Sequence, residues 1–71
     1  MSEEVRAPLG GTVTDVLVET GAKIDVDDEL LVIEAMKMQN IVYSPAAGTV
    51  KEVRVQKGDK VDDEAVLIVI D

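Results

Sequence analysis

A tandem repeat is the feature that most constrains the fold of this 71-residue chain. Shifted by 37 positions, residues 8–34 align with residues 45–71 without a gap, and 12 of the 27 aligned positions are identical. The identical positions are Pro8, Gly11, Thr12, Val13, Val16, Val18, Gly21, Lys23, Asp25, Leu30, Val32 and Ile33. The repeat predicts two copies of one small unit related by approximate two-fold symmetry. The segment that joins them carries Lys37 between two methionines, so the chain is built to present that lysine.

The composition predicts one small all-β domain. Valine, isoleucine and leucine dominate the apolar residues, with one Tyr and no Phe or Trp, and such β-branched richness favours strands. The chain has no Cys and no His, so neither a disulfide nor a His/Cys metal site supports the core. We expect residues 1–71 to form a single domain, with residues 1–4 flexible.

The charge argues against nucleic-acid binding. Fifteen acidic and seven basic residues give a net charge of −8, which repels a phosphate backbone, and the chain lacks the aromatic residues on which bases stack. The polar, acidic N-terminus is unlike a secretory signal, and no apolar run has membrane-spanning length. The sequence therefore predicts a soluble, cytoplasmic protein.

Turn signals divide each copy into short strands. We predict eight of them: Val5–Ala7, Gly11–Val18, Lys23–Ile24, Leu30–Glu34, Gln39–Tyr43, Gly48–Val55, Lys60–Val61 and Val66–Ile70. This close spacing fits a small barrel or sandwich.

Two details of the long strands predict local geometry. Side chains alternate between the two faces of a strand, and by this alternation Val16 and Val18 lie on one face and Val13 on the other. The second copy repeats this change of face at Val50. A slip at the same place in both copies indicates a bulge or a crossing between sheets; the alternative is that Val13 and Val50 are exposed. Gly21 and Gly58 occupy matching turns and are expected to adopt positive φ.

The segment from Leu30 to Met38 is compatible with a helix by composition. Its partner in the second copy, Val66–Ile70, is β-branched and has no helical continuation, which favours a strand. The chain must then turn back at Met36-Lys37, which places Lys37 at a hairpin tip. The turn lacks the Asn-Gly chemistry of tight hairpins, and such local departures mark functional sites.

Two acidic stretches, Asp25–Glu29 and Asp62–Glu64, suggest calcium at first sight. They lack the glycine and the spacing of an EF-hand loop, so we interpret them as solvated turns.

The segment Glu34–Met38, with the sequence Glu-Ala-Met-Lys-Met, resembles the attachment motif of biotinyl (biotin carboxyl carrier) domains. Ala7-Pro8, Gly11–Val13, Gly21 and Ser44–Val50 are similar to the framework of that family. The resemblance covers roughly Val5 to Ile70. It implies a flattened eight-strand barrel-sandwich of two four-stranded antiparallel sheets. It also implies that Lys37 accepts biotin covalently and that Glu34, Ala35, Met36 and Met38 are read by a biotin ligase and other partners.

Three features depart from the pattern of the family. Gln39 stands where glutamate often follows the second methionine, and Asp27 and Glu64 stand where glycine is common. Asp tolerates a left-handed backbone better than Glu does. No insertion separates the early strands, so the protruding thumb of some acetyl-CoA carboxylase carriers is not expected.

The resemblance implies a carrier rather than an enzyme. A lysine amine attacks biotinyl-adenylate once deprotonated, and the tethered biotin shuttles a carboxyl group between a biotin carboxylase and a carboxyltransferase or decarboxylase. The carrier itself contributes effective concentration, is expected to be monomeric, and needs no pocket for free biotin. Methionines offer soft apolar contacts to successive partners, although Met36 and Met38 can also be read as core filler.

Two other functions remain open from the residues. A lipoyl carrier of 2-oxoacid dehydrogenases or of glycine cleavage has the same fold, but typically carries Asp-Lys-Ala where this chain has Met36-Lys37-Met38. An unmodified scaffold module of similar shape, like the hairpin domains of efflux adaptors, is the third possibility.

Overall fold

Eight strands form the domain in a computed structural model that describes residues 2–71. They are β1 (Glu3–Arg6), β2 (Gly11–Val16), β3 (Lys23–Ile24), β4 (Glu29–Ala35), β5 (Met38–Tyr43), β6 (Gly48–Val53), β7 (Lys60–Val61) and β8 (Val66–Ile70). Every predicted strand is present, and the segment before Lys37 is a strand rather than a helix. Residues 2–71 hold no helix with the length and hydropathy of a membrane span.

The strands form two four-stranded antiparallel sheets. The order is β1-β8-β6-β3 in one sheet and β5-β4-β2-β7 in the other. A shift of 37 residues converts one order into the other, which confirms the predicted two-fold pseudo-symmetry and the flattened barrel-sandwich. Each copy gives two strands to each sheet, so neither copy completes a sheet without the other.

Reciprocal hydrogen bonds interlock the two copies at the long strands. The Val13 amide donates to the Asp59 carbonyl at 2.8 Å, and the Gly58 amide donates to the Val13 carbonyl at 2.7 Å. Val50 makes the equivalent pair of bonds with Ala22 and Gly21, each at 2.8 Å. The long strands therefore cross from one half of the domain to the other at these valines.

The predicted slip in the long strands is confirmed as a register shift in both copies. The β2–β4 ladder shifts between Val13 and Asp15, and the β6–β8 ladder shifts between Val50 and Glu52. Val13 and Val50 are buried, so the alternative that they are exposed is wrong. The extra residue turns both valines into the core.

The core lies between the two sheets and is aliphatic throughout. Its largest fully buried side chains are Leu30, Leu31, Ile33, Leu67, Ile68, Ile70, Val13 and Val50. Leu30 and Leu31 are adjacent yet both buried, because the β4–β5 ladder shifts register between Glu29 and Leu31. Ser44 is the buried polar residue, and its hydroxyl donates to the Ala46 carbonyl at 2.6 Å.

The limits of five strands differ from the sequence prediction. β4 is longer by one residue at each end, and β5 begins one residue early, at Met38. β1 begins at Glu3, because Glu3 and Glu4 pair with β8; two of the four residues expected to be flexible therefore lie in a strand, and Met1 lies outside the described residues. β2 and β6 each end two residues early, at Val16 and Val53. Each copy makes one further bond before it enters the turn, from the Leu17 amide to the Leu30 carbonyl and from the Arg54 amide to the Leu67 carbonyl.

Backbone conformation confirms the predicted role of the turn glycines. Gly21 has a φ of 94° and Gly58 a φ of 96°, a region that side chains disfavour. Asp27 and Glu64, at matching positions of the two acidic loops, both have a φ of 70°. The left-handed loops are thus built with residues other than glycine.

Candidate functional site

The β4–β5 hairpin presents Lys37 at its tip, as predicted. Ala35 pairs with Met38, which leaves Met36 and Lys37 as a two-residue turn. Their φ angles are 53° and 65°. Positive φ at both central residues is the geometry of a type I′ turn, which normally uses Asn-Gly. Side chains in this region cost about 1–2 kcal/mol per residue, so the ladder behind the turn must hold it in place.

Both methionines of the turn region are exposed. Met36 is 92% exposed and Met38 is 67% exposed, so the reading of these residues as core filler is wrong. Lys37 is also exposed and forms no hydrogen bond or ion pair within residues 2–71. The tip therefore offers a free amine between two apolar side chains.

The base of the hairpin is held by a close contact with β2. A Cβ atom on Gly11 would lie 2.5 Å from the Glu34 carbonyl oxygen, 2.7 Å from Ile33 Cγ2 and 3.2 Å from Ala35 Cβ. The first two distances are too short for any side chain, so glycine lets β2 lie directly against the last residues of β4. This contact fixes the hairpin next to the turn.

Glycine occupies the aligned positions 11 and 48 of the two copies, and this identity was the signal in the sequence for a close contact. The contact of Gly11 with β4 was nevertheless not predicted. Gly48 makes the equivalent contact, with its Cβ position 2.6 Å from the Asp71 carbonyl oxygen. A glycine that is identical in two aligned strands indicates a close backbone approach. The same signal thus marks the hairpin base in one copy and the end of β8 in the other.

One acidic loop lies at the hairpin end of the domain. Val61 pairs with Gly11, which lies beside Ala35, and the Gly10 Cβ position is 3.6 Å from the Asp63 amide nitrogen. The loop at Asp62–Glu64 therefore flanks the hairpin, whereas Asp25–Glu29 leads into the opposite end of β4. Within residues 2–71 no three acidic side chains converge as a metal site.

The predicted recognition residues lie on the hairpin in two settings. Glu34 and Ala35 belong to the end of β4; Glu34 is exposed opposite Gln39, while Ala35 is half-buried against the Gly11 contact. Met36 lies in the turn and Met38 opens β5. The structure thus leaves Glu34, Met36 and Met38 accessible, and uses Ala35 to pack the base.

Comparison with known proteins identifies the family. Residues 1–70 match the family model described as "Biotin-requiring enzyme", of the biotin/lipoyl type. The chain belongs to this family. The resemblance inferred from Glu34–Met38 and its framework is therefore confirmed.

Two curated relatives are similar over about half of the chain. The alpha subunit of mitochondrial methylcrotonoyl-CoA carboxylase from Arabidopsis thaliana is 53% identical over 36 residues, which cover 51% of this chain and 5% of that protein. The gamma subunit of glutaconyl-CoA decarboxylase from Acidaminococcus fermentans is 49% identical over 39 residues, covering 55% of this chain and 27% of that protein. The matched segment is thus a small part of each relative.

Solved structures show the same fold. A single-chain, multi-domain long-chain acyl-CoA carboxylase superposes with a TM-score of 0.90 at 37% identity, over 96% of this chain and 7% of that one. The urea carboxylase of Kluyveromyces lactis superposes with a TM-score of 0.92 at 24% identity, over 99% of this chain and 6% of that one. The second likeness concerns the fold alone.

Proposed function

We propose that residues 1–71 form a single biotinyl domain that acts as a biotin carboxyl carrier, with Lys37 as the site of covalent attachment. The observation that carries this proposal is the hairpin itself, in which an exposed amine stands at the tip of a two-residue turn on a rigid base. Membership of the biotin-requiring family supports the choice of cofactor.

The residues at the tip fit an amide-linked group. Attachment requires the Lys37 Nζ atom to attack the acyl carbon of biotinyl-adenylate: the C–N bond forms, the bond from the acyl carbon to the phosphate oxygen breaks, AMP leaves, and the amine gives up its proton. An exposed tip lets a separate ligase surround this atom. No other described side chain competes for Lys37, so the amine is free to enter a ligase site.

The domain holds and presents the cofactor rather than acting on it. When bound, biotin supplies a ring that accepts and releases a carboxyl group. The hairpin keeps the arm at one end of a domain 33 Å long, which confines it near the partner active sites. The chain has no His or Cys, and the tip holds no nucleophile–base pair of its own, which supports a non-catalytic role.

The partners follow from this role. A biotin ligase loads Lys37, a biotin carboxylase loads the cofactor, and a carboxyltransferase or decarboxylase unloads it. Carboxylase and decarboxylase subunits among the relatives support this set. We propose that Glu34, Ala35, Met36 and Met38 are read by these partners: the methionines by apolar contact, Glu34 by charge, and Ala35 through the position it gives the turn.

A lipoyl carrier is not favoured, since the curated relatives are named as subunits of a carboxylase and of a decarboxylase, and the turn carries Met-Lys-Met. Streptavidin and anti-lipoyl blots of the purified domain distinguish the two. A monomeric state, weak binding of free biotin and a cytoplasmic location stay predictions; one of the relatives is mitochondrial.

Intact-mass measurement after co-expression with a biotin ligase tests the proposal. We expect a mass increase of one biotinyl group, and peptide mapping should place it on Lys37. An unchanged mass would leave the unmodified scaffold as the explanation. A mass change on another lysine would overturn the assignment of Lys37.

A further inference from the structure

The two outer strands on one side of the sandwich are symmetry mates with opposite chemistry. β1 and β5 occupy equivalent places at the edges of the two sheets. Three of the four residues of β1 are charged, and Arg6 forms an ion pair with Glu4 at 2.6 Å. β5 has six residues and no formally charged side chain. Open edges are normally protected by short length or by charge, and β5 has neither.

The backbone of β5 has unused hydrogen-bonding groups at every second residue. The residues that flank a two-residue turn bond to each other, so Met38, Asn40 and Val42 face β4. Ser44, two residues further on, follows the same alternation, because its amide donates to the Asp28 carbonyl at 2.8 Å. The groups of Gln39, Ile41 and Tyr43 therefore point away from the sheet. They present the pattern of donors and acceptors that an added strand requires.

Exposed apolar side chains accompany this open edge. Ile41 is 39% exposed and Tyr43 is 51% exposed, and both line a surface groove between β5 and β1. The two walls of the groove are built from aligned positions of the repeat: Ile41 and Glu4, Tyr43 and Arg6, Pro45 and Pro8. The groove thus lies where the two copies meet, with one apolar and one charged wall.

The charges around β5 select the kind of partner. Gln39 pairs with Glu34 and Tyr43 pairs with Glu29 on the neighbouring strand. Across the groove, Glu4 is ion-paired with Arg6, so that wall adds no net charge. An added strand with Lys or Arg at its ends would meet carboxylates at both ends. A second copy of this chain would bring the same carboxylates and a net charge of −8, which repels it. The occupant is therefore a basic strand of another protein.

We propose that β5 is a docking edge, which adds an extended strand flanked by basic residues from a partner protein. The strand begins at Met38, directly after Lys37, so a protein bound there lies beside the hairpin tip. The inference goes beyond attachment at Lys37 and does not depend on it. It is tested on the unmodified domain.

The experiment is a titration of the nitrogen-15-labelled domain with a capped peptide of alternating threonine and valine residues flanked by lysines. We expect chemical-shift changes along β5 and the Pro45 side of the groove. Hydrogen exchange at the amides of Gln39, Ile41 and Tyr43 should slow by about tenfold or more. The amides of Asn40 and Val42 are already bonded in the sheet and should change little.

Matched probes separate strand addition from simple charge attraction. A peptide that is N-methylated at alternate residues keeps its charge but loses its donors, and a glutamate-flanked peptide keeps its donors but reverses the charge. We expect both to bind at least about fivefold more weakly. Equal binding of the N-methylated peptide, changes centred on Glu3–Arg6, or no change at all would overturn the proposal.

A pair of variants with equal charge change completes the test. Ile41→Lys places a charge on the edge and should weaken peptide binding about fivefold. Asp15→Asn changes the net charge by the same amount on β2 and should leave binding unchanged. Slow exchange of Gln39, Ile41 and Tyr43 in concentrated domain without peptide would assign the edge to a second copy and overturn the basic partner. Labelling of Lys37 is scored in parallel, so failure of either proposal is seen separately.

Discussion

The two copies of the repeat build the same scaffold, but the glycine contact of the first copy lies beside the hairpin turn and that of the second lies at the end of β8. Gly11 lies against the end of β4 and Gly48 lies against the residue that follows β8; a Cβ atom on either glycine would lie 2.5 Å and 2.6 Å, respectively, from the facing carbonyl oxygen. The first contact is followed by Met36 and Lys37 with positive φ. The positions that the copies share thus belong to the scaffold, whereas Lys37 lies in the segment that joins the copies and has no aligned counterpart.

The strongest test of this comparison removes the amine from the tip. Lys37→Arg should abolish biotinylation completely, because a guanidinium is not acylated under these conditions, while an exposed tip leaves the fold intact. A streptavidin-blot time course with a biotin ligase measures the labelling, and circular dichroism checks the fold. Lys23→Arg and Lys60→Arg are matched controls from aligned positions of the two copies and should label normally. Residual labelling of Lys37→Arg would transfer the site to another lysine.

A second variant keeps the amine but moves it by one residue. Exchange of Met36 and Lys37 places the lysine at the first position of the turn, where its side chain leaves the hairpin in a different direction. Misplacement of a reacting group by about 1 Å can reduce a rate about 100-fold, and we expect a loss of at least that size in the initial labelling rate. Labelling at the normal rate would show that a ligase reads the methionines without regard to position.

Much of this fold was predictable because the repeat provides two aligned sequences for each strand, so that one copy can be used to assign the other. The β-branched segment Val66–Ile70 decided that Leu30–Glu34 is a strand, and the shared parity slip located the bulges at Val13 and Val50. Side-chain period and turn residues are local signals, so they are visible in the sequence. The hairpin was predicted because Leu30–Glu34 and Gln39–Tyr43 were both assigned as strands with a short connection between them.

The parts that were not predicted depend on contacts between distant segments. β2 and β6 end at their last ladder pairs, Val16 with Leu31 and Val53 with Ile68, and β1 begins at Glu3 because β8 extends to meet it. The role of Gly11 depends on the nearness of Glu34, which no local pattern shows. The unprotected edge of β5 follows from its place as the outer strand of its sheet, which the order of strands along the chain does not show.

Alanine substitution of Gly11 and Gly48 compares the glycine contact at the hairpin base with the equivalent contact at the end of β8. Gly11→Ala and Gly48→Ala each force a methyl group against backbone, and overpacking of this kind costs about 1–3 kcal/mol. We expect similar losses in the free energy of unfolding, measured by urea denaturation. Labelling of Lys37 under folded conditions should fall about tenfold for Gly11→Ala, because the hairpin base shifts. Labelling of Lys37 should be unchanged in Gly48→Ala. An equal loss of labelling in both variants would show that the Gly11 contact does not position the hairpin.

The smallest expected effect compares the two acidic loops. Asp27 and Glu64 both have a φ of 70°, and both are exposed. Asn adopts the left-handed region several times more readily than most residues, as Asp does, whereas Glu does not. Glu64→Asn should therefore stabilise the domain by about 0.5–1 kcal/mol, while Asp27→Asn should change stability by less than about 0.5 kcal/mol.

The two substitutions remove the same charge at aligned positions, so relief of self-repulsion in a chain of net charge −8 contributes similarly to both. The difference between their urea midpoints therefore measures how much the left-handed backbone conformation at position 64 contributes to stability. The Glu64 side chain makes no hydrogen bond in residues 2–71; Arg6 instead donates to the Glu64 carbonyl at 3.0 Å, which either residue supplies. Equal stabilisation by both variants would mean that charge, rather than the left-handed backbone, limits these loops. A gain confined to Glu64→Asn would show that the second copy carries strain that the first avoids with aspartate.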